Sequence, residues 1–463
     1  MINLKLKVKK LAITTLLLIT ICITCGFTLK FYSTEKSVEA FKLQDIAIKK
    51  APDIKIMNVV VVRKNELLLV STNDKDKNIT LDSGGIFSRP LISPDGSQVS
   101  YLKDNVLYVT TNKLEHIKIA DNTTTLSFAW QLSFTFQDKN TLLYSPTSGG
   151  LYFYDIVNKI SKPYLQDEFN YQNITLDSSG KIYAEKYLFY KKNGSDYIKD
   201  YGVLFFDPIT KKQKIVIKSI PTKIDTGGDL GMYPIITGIS NDDKYLYIWK
   251  HPHAGSLATD GVDLAVYDIL KNKLIEYTNP PMFSLHYSDN ISPNPKSSRY
   301  LALILGGGRE MDNNKDLVLL DILTGKFQSM SPNGDAAMTP YFASDGKSIL
   351  YASSKEQKEG IGGLNQWFFN ENHHIFTINT TTKQRKQLTN NKNYFDFSPI
   401  YMDNNVVLFF RSDKTENDNV SIWKYTNGRE TMLADGLIFY DDMKYPIQNY
   451  YGHYNTTLYT DIK

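Results

Sequence analysis

Five short runs of this chain close in the same way: LYFYD at 151–155, VLFFD at 203–207, LAVYD at 264–268, LVLLD at 317–321 and IFTIN at 375–379. Each is an aliphatic or aromatic segment ending in Asp155, Asp207, Asp268, Asp321 or Asn379, and each is followed by a tight turn that reaches a lysine. The acidic or amide positions lie 52, 61, 53 and 58 residues apart. Asp and Asn recur there because their side chains accept hydrogen bonds from the turn that follows. A strand-and-turn unit repeated at this period requires an array of small sheets.

A second pattern precedes each run. Pro90 to Gly96 (PLISPDG) leads into the β-like run 99–102, and Pro340 to Gly346 (PYFASDG) leads into 349–352. Weaker copies fall at 136–139, 176–180, 240–243, 292–295 and 401–404, each before another apolar run. From Asn58 onward, short β-like segments alternate with Asp, Asn, Gly and Lys, and no long helical periodicity occurs. The expected fold is therefore all-β, a β-propeller of four-stranded blades. Repeat units are expected near 86–121, 123–166, 170–219, 233–278, 283–331, 335–390 and 394–436. Eight blades are preferred, with residues 58–83 forming the extra one and the tail 450–461 supplying its missing strand; seven is the alternative. Such a clasp removes the open sheet edges that invite aggregation.

Ser93-Pro94-Asp95-Gly96, and the degenerate copy Ala343-Ser344-Asp345-Gly346-Lys347 before the strand ending in Tyr351, resemble the repeat of TolB-type (WD40-like) β-propellers. The resemblance covers roughly residues 58–436. It implies the propeller fold, an extracytoplasmic setting in bacteria, and a binding role more often than a catalytic one. Only one copy carries the full motif, and the long loops are particular to this chain.

The N-terminus addresses the chain to a membrane. Four lysines fall in the first ten residues, and Leu11 to Leu29 is uncharged and rich in Leu, Ile and Thr. Nineteen helical residues span roughly 28 Å, close to the hydrocarbon thickness, whereas a cleaved signal has a shorter core and a small-x-small site. An uncleaved single-pass anchor over residues 11–29 is expected in preference to a cleaved signal or a lipoprotein modified at Cys22 or Cys25. The lysine bias places the N-terminus in the cytoplasm and the body outside, at the cell membrane. Expected organisation is thus 1–29 anchor, 30–55 tether and 56–463 propeller.

Composition removes several activities. Cys22 and Cys25 are the only cysteines, so the body has no thiol for a disulfide, zinc cluster or nucleophile. The formal charge is +4, but five lysines in residues 1–30 leave the body near −1, a poor match for nucleic acid. No Gly-x-Ser-x-Gly elbow occurs, and the residues after 436 are too few for a hydrolase domain. Asp74-x-Asp76-x-Asn78 begins like a calcium loop, but Ile79 stands where Gly is required.

Four connections between second and third strands are expected to be long loops on one side: 190–202, 249–263, 305–316 and 353–372. Long loops on a rigid scaffold commonly carry function. His251 and His253 are one residue apart there and project to one side of a strand, but a metal needs further ligands, and none is expected. Arg309, Glu310 and Asp312 form a charged tip after the glycines 306–308, while Trp367 and Phe368 offer an aromatic contact anchor. These are the ligand-binding candidates; no catalytic residue, metal or cofactor is expected. The expected function is a membrane-tethered extracytoplasmic module that binds an envelope protein, peptide or glycan without catalysis. The alternative is a propeller hydrolase or lyase acting on carbohydrate or lactone with carboxylates in its channel.

Overall fold

The computed structural model describes residues 58–72, 77–111, 113–121, 132–193, 195–222, 230–254, 261–278, 283–284, 290–308, 313–357, 371–402, 406–413 and 420–437. Anchor, tether and clasp, expected at 1–29, 30–55 and 450–461, lie outside these residues. No helix among the described residues is long and apolar enough to cross a membrane.

The strands form antiparallel meanders. Residues 87–120, 134–165, 170–218, 232–276, 291–329, 335–387 and 395–437 each supply four strands paired in chain order. The 232–276 sheet gains the short strand Phe283–Ser284, and the 395–437 sheet continues into Asn58–Arg63, Glu66–Ser71 and Ile79–Ser83 through one pair, Arg63 with Leu437. The repeat expected from the turns is therefore a repeat of sheets.

Sheet packing explains why the strands read as continuous apolar runs. Val60, Leu67 and Leu69 pack against Phe87, Val99 and Tyr101 of the next sheet, and Leu142 and Tyr144 pack against Leu102 and Val109. The same relation joins each sheet to the next, and Val59, Val61, Leu68 and Val70 share a core with Phe397, Phe409 and Ile422 of the last. Sheets thus pack face to face in succession from 58–83 to 395–437, and the last is joined to the first edge to edge through Arg63 and Leu437, an arrangement consistent with a propeller. Middle strands are covered on both faces: Trp249, Leu246 and Ile248 are fully buried on Tyr245–Pro252. Fourth strands such as Ile160–Leu165 and Phe327–Ser329 are largely exposed.

The recurrent Asp or Asn caps its turn as the composition implied. Asp155 Oδ1 accepts the Asn158 N–H at 2.9 Å, Asp207 Oδ1 that of Ile209 at 2.9 Å, Asp268 Oδ1 that of Lys271 at 2.9 Å and Asp321 Oδ1 that of Leu323 at 3.1 Å. Asn379 Oδ1 accepts from both Thr381 and Thr382. Each turn then passes through a left-handed residue, namely Lys159, Lys211, Asn272, Gly325 or Lys383.

Candidate functional site

Most of the buried ionisable residues gather at one end of the sheets, where first strands begin and second strands finish. Asp335 opens its sheet opposite Lys355 and is held by the Lys355 ammonium at 2.5 Å and by Arg385 at 3.0 Å. Asp396 lies opposite Arg411, which grips it with Nε at 2.6 Å and Nη2 at 2.9 Å while also reaching Glu430 at 2.8 Å. The Arg411 guanidinium sits 4.6 Å from the Trp423 ring and 5.2 Å from Phe409. Lys315, just before the third strand Asp316–Asp321, donates to the carbonyls of Gly307 at 3.0 Å and Gly308 at 3.1 Å.

Between the 170–218 and 232–276 sheets this end carries a denser group. Glu185 lies inside the second strand Ile182–Lys192 and is wholly buried. Its Oε1 accepts Asn173 Nδ2 at 2.8 Å and the main-chain N–H of Ile236, from the next sheet, at 2.7 Å; its Oε2 accepts Gln172 Nε2 at 2.9 Å. Burial pushes the carboxyl up to about 8, and the three N–H donors pull it only part of the way back. Asp200 pairs across the ladder with Tyr187, two residues from Glu185, so both acids face the same side of the sheet. Asp200 accepts the Gly202 N–H at 2.8 Å and the Ser219 hydroxyl, and burial pushes it up to about 6.

The two candidate histidines complete the group. Tyr233, on the first strand Met232–Ile239 of the next sheet, has its ring 4.5 Å from His251 and 5.2 Å from His253. Burial raises the Tyr233 hydroxyl, and the nearby charges of Glu185 and Asp200 raise it further. His251 is buried, donates through Nδ1 to the Pro252 carbonyl at 2.7 Å, and is pushed down to about 4 by that burial. His253 is exposed and donates through Nε2 to the Ile220 carbonyl at 3.1 Å. The structure therefore brings His251 and His253 against one tyrosine ring, His251 buried and His253 exposed. Among the described residues no group of three His, Cys, Asp or Glu side chains is placed to hold a metal. Arg309, Glu310, Asp312, Trp367 and Phe368 lie outside the described residues.

One of the four expected loops is not a loop. Residues 190–202 belong to a β-hairpin: Ile182–Lys192 and Ser195–Phe206 stay paired to Lys192 with Ser195. The neighbouring strands stop earlier, the first strand pairing only to Asn170 with Tyr187 and the fourth only to Lys218 with Gly202. Beyond those rungs a two-stranded ribbon projects from the sheet end. It departs at a bulge where Tyr201 is skipped between the pairs Lys186–Gly202 and Tyr187–Asp200. Gly202 has φ +104°, and a Cβ there would collide with the Ile217 carbonyl, so this exit needs glycine. Tyr190 and Tyr197 stack across the ribbon at 5.6 Å, and they are 39% and 43% exposed, as a free contact surface requires.

Glu185, Asp200 and Tyr233 escaped the sequence reading. An acid within the apolar phase of the IYAEKY run was the available signal, but a strand buried on both faces has no polar phase against which such a residue stands out.

The succession of packed antiparallel sheets, most of them four-stranded, is the architecture of a β-propeller. No family model matches the sequence, and no curated protein matches it. Among solved structures, Porphyromonas gingivalis dipeptidyl peptidase 4 is similar in fold at 9% identity and a TM-score of 0.51, over 84% of this chain and 59% of that one. A puromycin-hydrolyzing peptidase from Mycobacterium tuberculosis is 12% identical with a TM-score of 0.47, over 76% and 54%. A putative TolB from Agrobacterium tumefaciens is 11% identical with a TM-score of 0.31, over 82% and 88%. The chain spans little more than half the length of the two peptidases. At these identities the likeness concerns the fold alone.

Proposed function

We propose that this protein is a membrane-tethered, extracytoplasmic, eight-bladed propeller that binds an envelope protein, peptide or glycan without catalysis. On this reading the three strands Asn58–Arg63, Glu66–Ser71 and Ile79–Ser83, which continue the 395–437 sheet, are the eighth blade. The observation that carries the binding reading is the ribbon: a stacked, half-exposed tyrosine pair held out from the sheet end by a glycine bulge. Rigid exposed aromatics are the residues on which protein and glycan contacts concentrate their energy. The buried ionisable groups beside it, in contrast, are engaged by internal partners. The test is capture from cross-linked cells by the full chain, against a variant in which 188–199 is replaced by a two-residue turn. A partner retained by the wild type and lost by the variant supports the reading; identical recoveries overturn it. Protease added to intact cells should trim the body if it is extracytoplasmic, and leave it whole if it is not.

A second reading has its own observation. Glu185 and Asp200 face one side of the sheet, both are shifted toward the neutral acid, and Tyr233 stands near them. Paired carboxyls of differing acidity are what a hydrolase or lyase acting on carbohydrate or lactone uses. Turnover of a uronide or lactone panel that disappears in D200N would favour this reading, and no turnover by the wild type would dismiss it.

A further inference from the structure

The ribbon has two unlike faces. Alternation along Ile182–Lys192 and Ser195–Phe206 puts Leu188, Tyr190 and Lys192 on one face, opposite Lys199, Tyr197 and Ser195. The ribbon's own residues on that face are Lys192, Lys199, Ser195, Leu188 and the stacked tyrosine pair, none of them acidic, while at its base Asp167 pairs with Lys186 at 3.8 Å. Lys199 lies 4.9 Å from the Tyr201 ring, and neither Lys192 nor Lys199 forms an ion pair with a carboxylate among the described residues. The edges matter equally. Beyond Tyr187 and Asp200 neither strand of the ribbon has a further ladder neighbour among the described residues.

We propose that this ribbon docks an extended acidic peptide segment of a partner protein by strand addition, with the peptide's carboxylates against Lys192 and Lys199 and its backbone along a ribbon edge. The proposal deepens the binding reading above and rests on it. Three observations select this occupant. Strand edges with no ladder neighbour among the described residues are suited to a polypeptide backbone, which a glycan or nucleic acid lacks. Lys192 and Lys199, exposed and in no ion pair among the described residues, favour an anionic partner. The same lysines disfavour a second copy of this chain, because identical faces would oppose like charges along the added strand.

The experiment measures binding of labelled extended peptides to the full chain in detergent. The probes are an alternating Glu/Thr-Val peptide, its Lys-for-Glu counterpart, and the acidic peptide N-methylated on alternate residues. A polyuronate and a single-stranded oligonucleotide are the competitors. The acidic peptide should bind and weaken with added salt, while the basic and N-methylated peptides should not. K192E with K199E should cost about tenfold in affinity, since both lysines are solvent-exposed pairing groups. It should also gain the basic peptide, with an unchanged unfolding midpoint showing that the fold persists. Equal binding of acidic and basic peptides, indifference to N-methylation, or an unaltered K192E with K199E variant would overturn the proposal. Binding by the polyuronate or oligonucleotide alone would overturn it in favour of another macromolecule. A cellular partner that is captured through 188–199 yet insensitive to K192E with K199E would defeat this proposal and leave the binding reading standing. Failure to capture any partner would defeat the reading itself.

Discussion

The carboxyl Oε1 of Glu185 in one sheet accepts the main-chain N–H of Ile236 in the next at 2.7 Å, at the point where the two sheets meet beneath the ribbon. The bond ties neighbouring sheets through a group that is wholly buried. Replacing Glu185 by Ala removes the acceptor of three N–H donors. Each buried donor left unmet costs about 1–3 kcal/mol, so E185A should lose roughly 3 kcal/mol or more. Urea unfolding measures it, and a loss below 1 kcal/mol would show that water or relaxation replaces the carboxylate.

The same residue sets a pH dependence. Glu185 is raised from 4.5 to about 8, so the folded state holds a proton that the unfolded chain has lost. Its contribution is complete below 4.5 and falls away as pH rises through 8. His251 has the opposite sign: depressed from 6.5 to about 4, it contributes above 6.5 and loses that contribution as pH falls toward 4. The two effects oppose each other between 4.5 and 6.5, and Asp200, raised to about 6, is ionised above that range. The thermal midpoint should therefore decline from pH 6.5 to above 8 in the wild type and flatten in E185Q. An equal decline in both proteins would assign the effect elsewhere.

Arg411 is the structural hub of the last sheet. Removing one partner of a buried, bidentate pair leaves the other charge uncompensated, so R411A should cost about 3–5 kcal/mol. R411K keeps the charge but loses the fork and should recover only part of that. Since the guanidinium rests on Trp423, tryptophan emission should change in R411A. Full stability in R411A would mean that Asp396 is neutralised without cost.

Gly202 controls how the ribbon leaves its sheet. With φ at +104° and the Ile217 carbonyl beside it, G202A should destabilise by about 1–3 kcal/mol and redirect the ribbon. Thermal unfolding measures the first effect and cross-linked capture the second. Capture at wild-type level would show that the exit geometry is not required.

Tyr190 and Tyr197 present contact surface more than core. Y190A with Y197A should change stability by less than about 1 kcal/mol, because surface sites away from packing are nearly neutral. Partner capture should nevertheless fall to background. Retained capture would place the contact elsewhere on the propeller.

How much of this was legible depends on whether the determining interaction is local. Asp155, Asp207, Asp268, Asp321 and Asn379 recur because each satisfies a turn within a few residues, and that requirement is written into the residue type itself. The ribbon was half legible: Tyr187 to Tyr190 and Tyr197 to Tyr201 flank an Asn-Gly turn signal, but whether such a segment is a loop or a hairpin depends on how far pairing continues past the neighbouring strands.

A second repeat was silent. First strands shift register at Ser88–Leu91, Phe136–Asp138, Gln172–Thr175, Ile236–Gly238, Met338–Tyr341 and Phe397–Ile400. Arg89, Asn173, Thr339 and Ser398 take positive φ there, with no shared residue type to announce it. Local turn chemistry and strand period determined from sequence alone that this chain folds as an array of small antiparallel sheets. Which acids are buried, that Glu185 reaches across to Ile236, and that His251 turns inward while His253 faces solvent were decided by the tertiary structure. Those outcomes depend on which sheet faces lie against each other, a relation between residues some fifty positions apart that no local pattern encodes.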